Sequence, residues 1–298
     1  MTAPHWHVLG AGAIGCLYAD ALQRGGIKTT LVLRANTPDI SRRLIVEREG
    51  KTTALAVPVV SPDDRPRISH LLVTTKAYDV REAIASVAVH VVDHGVVVLM
   101  VNGLGLIEEL SEEWPHLDIF CGTTTAGAYR IADQHIHHAG RGDTHIGRQG
   151  LQKPPHWFEP WKNAIENCVW DSNIETALWS KLAVNCVINP LTALHGCTNG
   201  ELSRRRDLAQ KVTLLCQEVA QISRGAGYSE IAVTLPNTVA TIIAGTAENR
   251  SSMLQDVESG RRTEINYITG HLLKVANEHH LDAPLNRALL EQLTQRDH

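Results

Sequence analysis

The sequence predicts an α/β half followed by an all-α half, and three observations carry that prediction. Short apolar runs alternate with turn and helix signals from His5 to about Asp171, the rhythm of strands joined by helices in a sheet covered on both faces. The first of those runs enters a glycine-rich turn and then a helix. From Ile174 onward, apolar residues recur at helical spacing instead. The change of pattern at Asp171 to Asn173 places the expected domains at residues 1–172 and 173–298.

Composition narrows the class. The chain has 298 residues, 43% hydrophobic and 20% charged, enough for two cores and ordinary for a globular protein. A net charge of −4 gives no reason to expect a nucleic-acid partner. No window approaches eighteen uninterrupted apolar residues, and the first residues lack the pattern of a secretory signal, so no membrane partner is expected. The six cysteines, Cys16, Cys121, Cys168, Cys186, Cys197 and Cys216, are scattered without a C-x-x-C pair. That pattern suggests reduced thiols and a cytoplasmic protein.

His5 to Leu9 reads as the first strand. It runs into Gly10-Ala11-Gly12-Ala13-Ile14-Gly15, and Cys16 to Gln23 has helical character. In this context the glycines permit a tight turn, close approach of a pyrophosphate and close packing of helix on sheet. Free N–H groups at the helix start then face the phosphates. The expectation is a Rossmann-type, doubly wound dinucleotide-binding sheet. Lys28 to Leu33 is the second strand, followed by Arg34. Asp or Glu at this point would bond a ribose 2′-hydroxyl and repel a 2′-phosphate, whereas a guanidinium grips the phosphate. NADP(H) is therefore expected over NAD(H).

Arg43 to Val60, with Glu49-Gly50 inside it, reads as a hairpin. Leu71 to Thr74 is a strand ending at Thr75-Lys76, Val80 to Val89 a helix, and Val96 to Val101 a strand ending at Asn102-Gly103-Leu104-Gly105. Lys76 and Asn102 thus fall at strand carboxyl ends, where ligands of open α/β sheets lie. Ile119 to Tyr129 and His135 to Ile146 read as further strands. His135, His137, His138 and His145 invite a metal hypothesis, but no acid or cysteine completes a familiar set, and no metal site is predicted. A helix-like segment follows Lys153-Pro154-Pro155.

In the second half, Ile174 to Leu194 reads as a buried helix interrupted by Lys181, Asn185 and Asn189. Their i, i+4, i+8 spacing puts them on one face. Burial of an ammonium and two carboxamides is costly unless protein, water or a ligand faces them. Pro190 predicts a kink beside Cys186. Leu208 to Ser223, Asn237 to Ala247 and Leu285 to Leu293 read as helices. Ser252 and Gln255 fit an S-x-x-Q capping box. Ile265, Ile268, Leu272 and Ala276 mark one helix face, with Glu264 at its start, where a solvated carboxylate favoured by the helix dipole is the ordinary reading.

With those residues in hand, the chain resembles the ketopantoate reductase family over nearly its whole length. The resemblance rests on GAGAIG (Gly10 to Gly15), TTK (Thr74 to Lys76), NGLG (Asn102 to Gly105), GTTTAGA (Gly122 to Ala128), KLAVNCVINPLTAL (Lys181 to Leu194), NGEL (Asn199 to Leu202), ENRSSMLQD (Glu248 to Asp256) and TEI (Thr263 to Ile265). It implies NADPH-dependent reduction of 2-dehydropantoate (ketopantoate) to (R)-pantoate in pantothenate biosynthesis, by a monomer or homodimer. Lys181 resembles the family's catalytic proton donor, and Glu264 its active-site glutamate near the lysine and the cofactor. Asn185, Asn189 and Asn199 resemble its substrate-binding asparagines, and Ser252 the serine that binds the substrate carboxylate. Gly10, Ala11, Gly12, Ala13, Ile14 and Gly15, with Arg34, Lys76, Asn102 and Ala128, resemble its NADPH/NADP+ contacts; Asn102 is also expected near the substrate. In a ketone reduction negative charge grows on the carbonyl oxygen, and a fixed cationic donor such as Lys181 stabilises it and gives up a proton.

Overall fold

Four consecutive buried residues make β1 (Trp6–Leu9) a strand covered on both faces, as a central parallel strand must be. The computed structural model describes residues 4–34, 41–132 and 135–296. After β1 come α1 (Ala13–Arg24), β2 (Thr29–Val32), β3 (Ser41–Arg48), β4 (Lys51–Val60), β5 (Ile68–Val73), α2 (Val80–Val87), β6 (Val91–Leu99) and α3 (Ile107–Glu113). The α/β part continues with β7 (Asp118–Thr124), β8 (Gly127–Ala132), β9 (His135–Gly140), β10 (Thr144–Gly147), α4 (Phe158–Ala164) and β11 (Cys168–Trp170).

These strands form one sheet in the order β11-β10-β7-β6-β5-β1-β2-β4-β3-β9-β8. Within it β4, β2, β1, β5, β6 and β7 are mutually parallel neighbours. Chain direction along the sheet reverses at β1, which makes the carboxyl ends of β1 and β5 the switch point where a doubly wound sheet takes its ligand. Glu49 and Gly50 join β3 to β4 with φ of 48° and 74°, the left-handed pair that a two-residue hairpin turn requires.

The two long strands expected between Ile119 and Ile146 are four. β7 ends because the Thr124 hydroxyl accepts the Ala126 N–H at 3.1 Å, and the Thr125 N–H donates to the Asp143 carbonyl at 3.0 Å. These side-chain and loop bonds compete with the ladder. The chain then leaves for the far edge of the sheet, where β8 pairs antiparallel with β9. The core beneath the sheet is aromatic: Trp6 packs on Trp161 and Trp157 with ring centroids 4.4 and 5.3 Å away, and Phe120 on Trp157 at 5.1 Å.

The chain divides into two compact units, Met1–Val101 with Leu106–Glu175, and Asn102–Gly105 with Thr176–His298. The second is built from α5 (Ile174–His195), α6 (Glu201–Arg204), α7 (Arg206–Gly225), α8 (Ser229–Gly245), α9 (Ser252–Glu258), α10 (Ile265–Glu278) and α11 (Pro284–Thr294). Leu182, Ala183, Cys186, Val187 and Leu191 of α5 are buried in its core with Leu215, Val219, Leu235, Ile265 and Leu272. Pro190 does not end α5, which continues to His195; the Thr192 hydroxyl bonds to the Ile188 and Asn189 carbonyls at 3.0 Å. α8 likewise starts earlier than its pattern suggests and runs through Pro236. Among the described residues no helix is long and apolar enough to cross a membrane.

A Cβ placed on Gly15 would overlap the Gly10 carbonyl oxygen and the Thr74 hydroxyl, whereas one on Gly12 meets nothing within 4 Å. Gly15→Ala is therefore expected to lower the free energy of urea unfolding by about 1–3 kcal/mol, the usual cost of overpacking. Gly12→Ala should leave it near wild type.

Candidate active site

The first unit presents a cradle. Gly10 has φ of 105°, and a Cβ there would lie 2.9 Å from the backbone of Thr74 and Thr75. The Thr74 hydroxyl donates to the Gly10 carbonyl at 2.7 Å and fixes the turn. Gly12 caps α1 without a side-chain hydrogen bond, and no acidic residue stands in the first turn. The space that a Gly12 side chain would fill is open, and the first turn of α1 adds no acidic side chain to it. Bare backbone, a helix terminus and room for close approach fit a pyrophosphate. Lys76 follows β5, partly buried, and Ala128 stands partly buried on β8. Arg34 follows β2 with 94% of its side chain exposed and its Nη2 3.6 Å from Asp79 Oδ2.

The second unit carries the polar face of α5. Lys181 and Asn185 are partly buried, and Asn189 is only 7% exposed. Among the described residues no side-chain hydrogen bond takes up the Asn185 or Asn189 carboxamide. Protein side chains thus do not account for these two carboxamides, which favours a ligand or water for them among the alternatives left open by the sequence. Burial is the larger influence on Lys181 and pushes its pKa down to about 8, while the Glu264 carboxylate opposes the shift.

Glu264 is 4% exposed, so the reading of a solvated carboxylate does not hold. It stands just before α10 without capping it. Its Oε2 accepts a hydrogen bond from Asn102 Nδ2 at 3.2 Å. Asn102 is held there by its own loop: the Leu104 N–H donates to the Tyr267 carbonyl at 3.2 Å, and Gly103, with φ of 88°, is pressed on Tyr267 so closely that a Cβ would collide with it. The N-G-L-G run therefore belongs to the surface of α10. Two glycines in alternate positions are the sequence signal of such close approach, although the helix they meet was not legible.

Asn199 is 7% exposed; its Nδ2 donates to Thr246 Oγ1 at 2.9 Å, and its Oδ1 is buried without a protein partner. Ser252 needs a correction. Its neighbour Ser251 is the cap of α9, accepting the Leu254 N–H at 3.0 Å and lying 2.7 Å from the Thr192 hydroxyl. Ser252 is the exposed first residue of the helix. Two adjacent serines made both registers possible, and the buried Thr192 partner selects the first. This register leaves the Ser252 hydroxyl out of the cap.

The structure therefore gathers Lys181, Glu264 and Asn102 into one network and puts Asn185 and Asn189 on the same helix as the lysine. The glycine-rich loop, Arg34, Lys76 and Ala128 belong to the first unit. His135 and His137 contact Glu47, at 2.8 and 3.5 Å, and are partly buried. One contact escaped the sequence altogether: Arg130 Nη2 donates to the Ala11 carbonyl at 2.6 Å.

Comparison with known proteins bears on this site. The family described as ketopantoate reductase PanE/ApbA matches residues 6–150, and its C-terminal counterpart matches residues 173–297. The chain is 39% identical over 293 residues to the 2-dehydropantoate 2-reductase of Salmonella typhimurium, covering 97% of this chain and 94% of the relative. Among solved structures it is similar to D-mandelate dehydrogenase with NADH and anilino(oxo)acetate, at TM-score 0.90 and 20% identity over 99% and 98% of the two chains. It is also similar to a PanE/ApbA family ketopantoate reductase from Ralstonia eutropha, at TM-score 0.87 and 21% identity over 99% and 98%. At such identities these two structures show the shared fold.

Because Glu264 holds the Lys181 pKa up against burial, Glu264→Gln is expected to move the lysine titration below pH 8. NMR of the reductively 13C-methylated amine reads this directly. A midpoint that stays put or rises would contradict the pairing.

Proposed function

The chain belongs to the ketopantoate reductase family, and on that premise we propose that it reduces 2-dehydropantoate to (R)-pantoate with NADPH, in pantothenate biosynthesis. Its relatives make it an oxidoreductase acting on a CH–OH group. The observation that carries the finer reading is Lys181, a partly buried, desolvated ammonium with a pKa near 8 that feels the buried Glu264 carboxylate, on a helix face where no side-chain hydrogen bond takes up the Asn185 or Asn189 carboxamide among the described residues.

When bound, NADPH supplies the hydride that reaches the keto carbon. Lys181 donates a hydrogen bond to the keto oxygen, stabilises the charge that develops there, and passes its proton to that oxygen. A pKa of about 8 keeps most of the amine protonated at pH 7 yet makes it a better acid than an ordinary lysine. Glu264 keeps the charged form from being lost to burial. Asn185, Asn189 and Asn199 orient the hydroxyl and carboxylate groups of the substrate as neutral donors, and Ser252 offers its hydroxyl to the carboxylate. Asn102 orients Glu264 and is itself a cofactor contact, with Lys76 and Ala128 as further ones. Arg34 grips the 2′-phosphate, for which it must exchange or share its Asp79 partner.

The likeness in fold to D-mandelate dehydrogenase keeps one rival, another bulky 2-keto acid as substrate. A panel of keto acids decides: activity on another acid with none on ketopantoate would sink the proposal. Lys181→Ala is expected to cut turnover by roughly a hundredfold or more. In wild type, kcat/KM for reduction should fall as pH rises through about 8, because the required ammonium is lost. For oxidation of pantoate, which needs the neutral amine, kcat/KM should rise through the same pH. Arg34→Ala should erase most of the preference for NADPH over NADH; a variant that keeps it refutes the role of Arg34.

A further inference from the structure

The loop from Gly10 to Gly15 contains no charged side chain, and the first turn of α1 contains no acidic one. The terminus of a helix offers only about half a positive charge, whereas a dinucleotide pyrophosphate brings two negative ones. A full positive charge nevertheless stands at this loop. Arg130, on β8, places its guanidinium against the Ala11 carbonyl at 2.6 Å. The position follows from strand geometry. Arg130 is two residues beyond Ala128 on the same strand, so the two side chains leave on one face. The other strand face carries Tyr129 and Ile131, both substantially exposed.

An arginine gives up rotamer freedom to make this bond. The bond does have a geometric effect: it fixes the cation on the residue next to Gly12, whose side-chain position is open. We infer that Arg130 is a cofactor-binding residue, its guanidinium neutralising the pyrophosphate of the dinucleotide while its bond to Ala11 holds the loop in register. This inference rests on the reading of the first unit as an NADPH site.

The test compares Arg130→Ala and Arg130→Lys with wild type and Arg34→Ala, all checked for native melting. Two probes are titrated at several salt concentrations: NADPH, and adenosine 2′-monophosphate, which has the 2′-phosphate but no pyrophosphate. Arg130→Ala is expected to weaken NADPH binding roughly tenfold or more, the scale of a lost charge-assisted hydrogen bond. It should also flatten the salt dependence of binding, since a screened charge pair has gone. Arg130→Lys keeps the charge and should retain most of that dependence. Adenosine 2′-monophosphate should bind Arg130→Ala like wild type and bind Arg34→Ala weakly. Unchanged NADPH affinity in Arg130→Ala overturns the inference. So does a loss that keeps the wild-type salt slope, or an equal loss for adenosine 2′-monophosphate, because either marks Arg130 as a brace for the loop alone. Wild-type protein that binds no NADPH at all fails the underlying cofactor reading, a result distinct from these.

Discussion

An ammonium set into an apolar helix is the constraint on which the second unit depends. Lys181 stands one helical turn from Asn185 on a 22-residue helix that also supplies Leu182, Cys186, Val187 and Leu191 to the core. Desolvation works against its charge, and the Glu264 carboxylate works for it. Desolvation is the larger, but the carboxylate limits it, and a pKa of about 8 leaves a proton that is held at neutral pH but can be released. An exposed lysine would hold its proton more tightly, and one buried without a carboxylate would hold it less.

That balance needs fixed geometry, and rigid elements provide it. α5 passes through Pro190 without ending, and the Thr192 hydroxyl ties two carbonyls of this stretch. The same hydroxyl meets Ser251, the cap of α9, so the helix bearing the asparagines and the segment bearing Ser252 are joined by a buried contact. Glu264 is oriented by Asn102, and Asn102 by a loop pressed onto α10. In the first unit, shape matters more than charge: Gly10 and Gly15 are small because backbone and hydroxyl crowd them, while Gly12 is small and has open space before it.

Much of this was legible in the sequence because it is periodic or local. The glycine motif between a strand and a helix, the i, i+4, i+8 polar face and the Glu49-Gly50 hairpin all follow from spacing. Features that depend on a distant partner were not legible. Glu264 read as a surface residue because nothing local announces the burial that α10 and Asn102 impose on it. Ser251 and Ser252 are equivalent as capping candidates until Thr192 is brought against one of them. The break between β7 and β8 arises from a threonine hydroxyl and from Asp143, eighteen residues beyond Thr125. Apolar periodicity carries no trace of such bonds. Arg130 likewise acquires its place only when an edge strand meets a loop that lies 119 positions earlier in the chain.

The tetrapeptide Asn102–Gly105 has a consequence for dissecting the molecule. Because it is grouped with the helical unit, the chain passes from one unit to the other after Val101, after Gly105 and after Glu175. The helical part is therefore discontinuous in sequence. A recombinant fragment starting at Thr176 would contain α10 without the segment that covers Tyr267, and Glu264 without its amide donor. Excising the sheet at its apparent border would take a piece of the helical unit away with it.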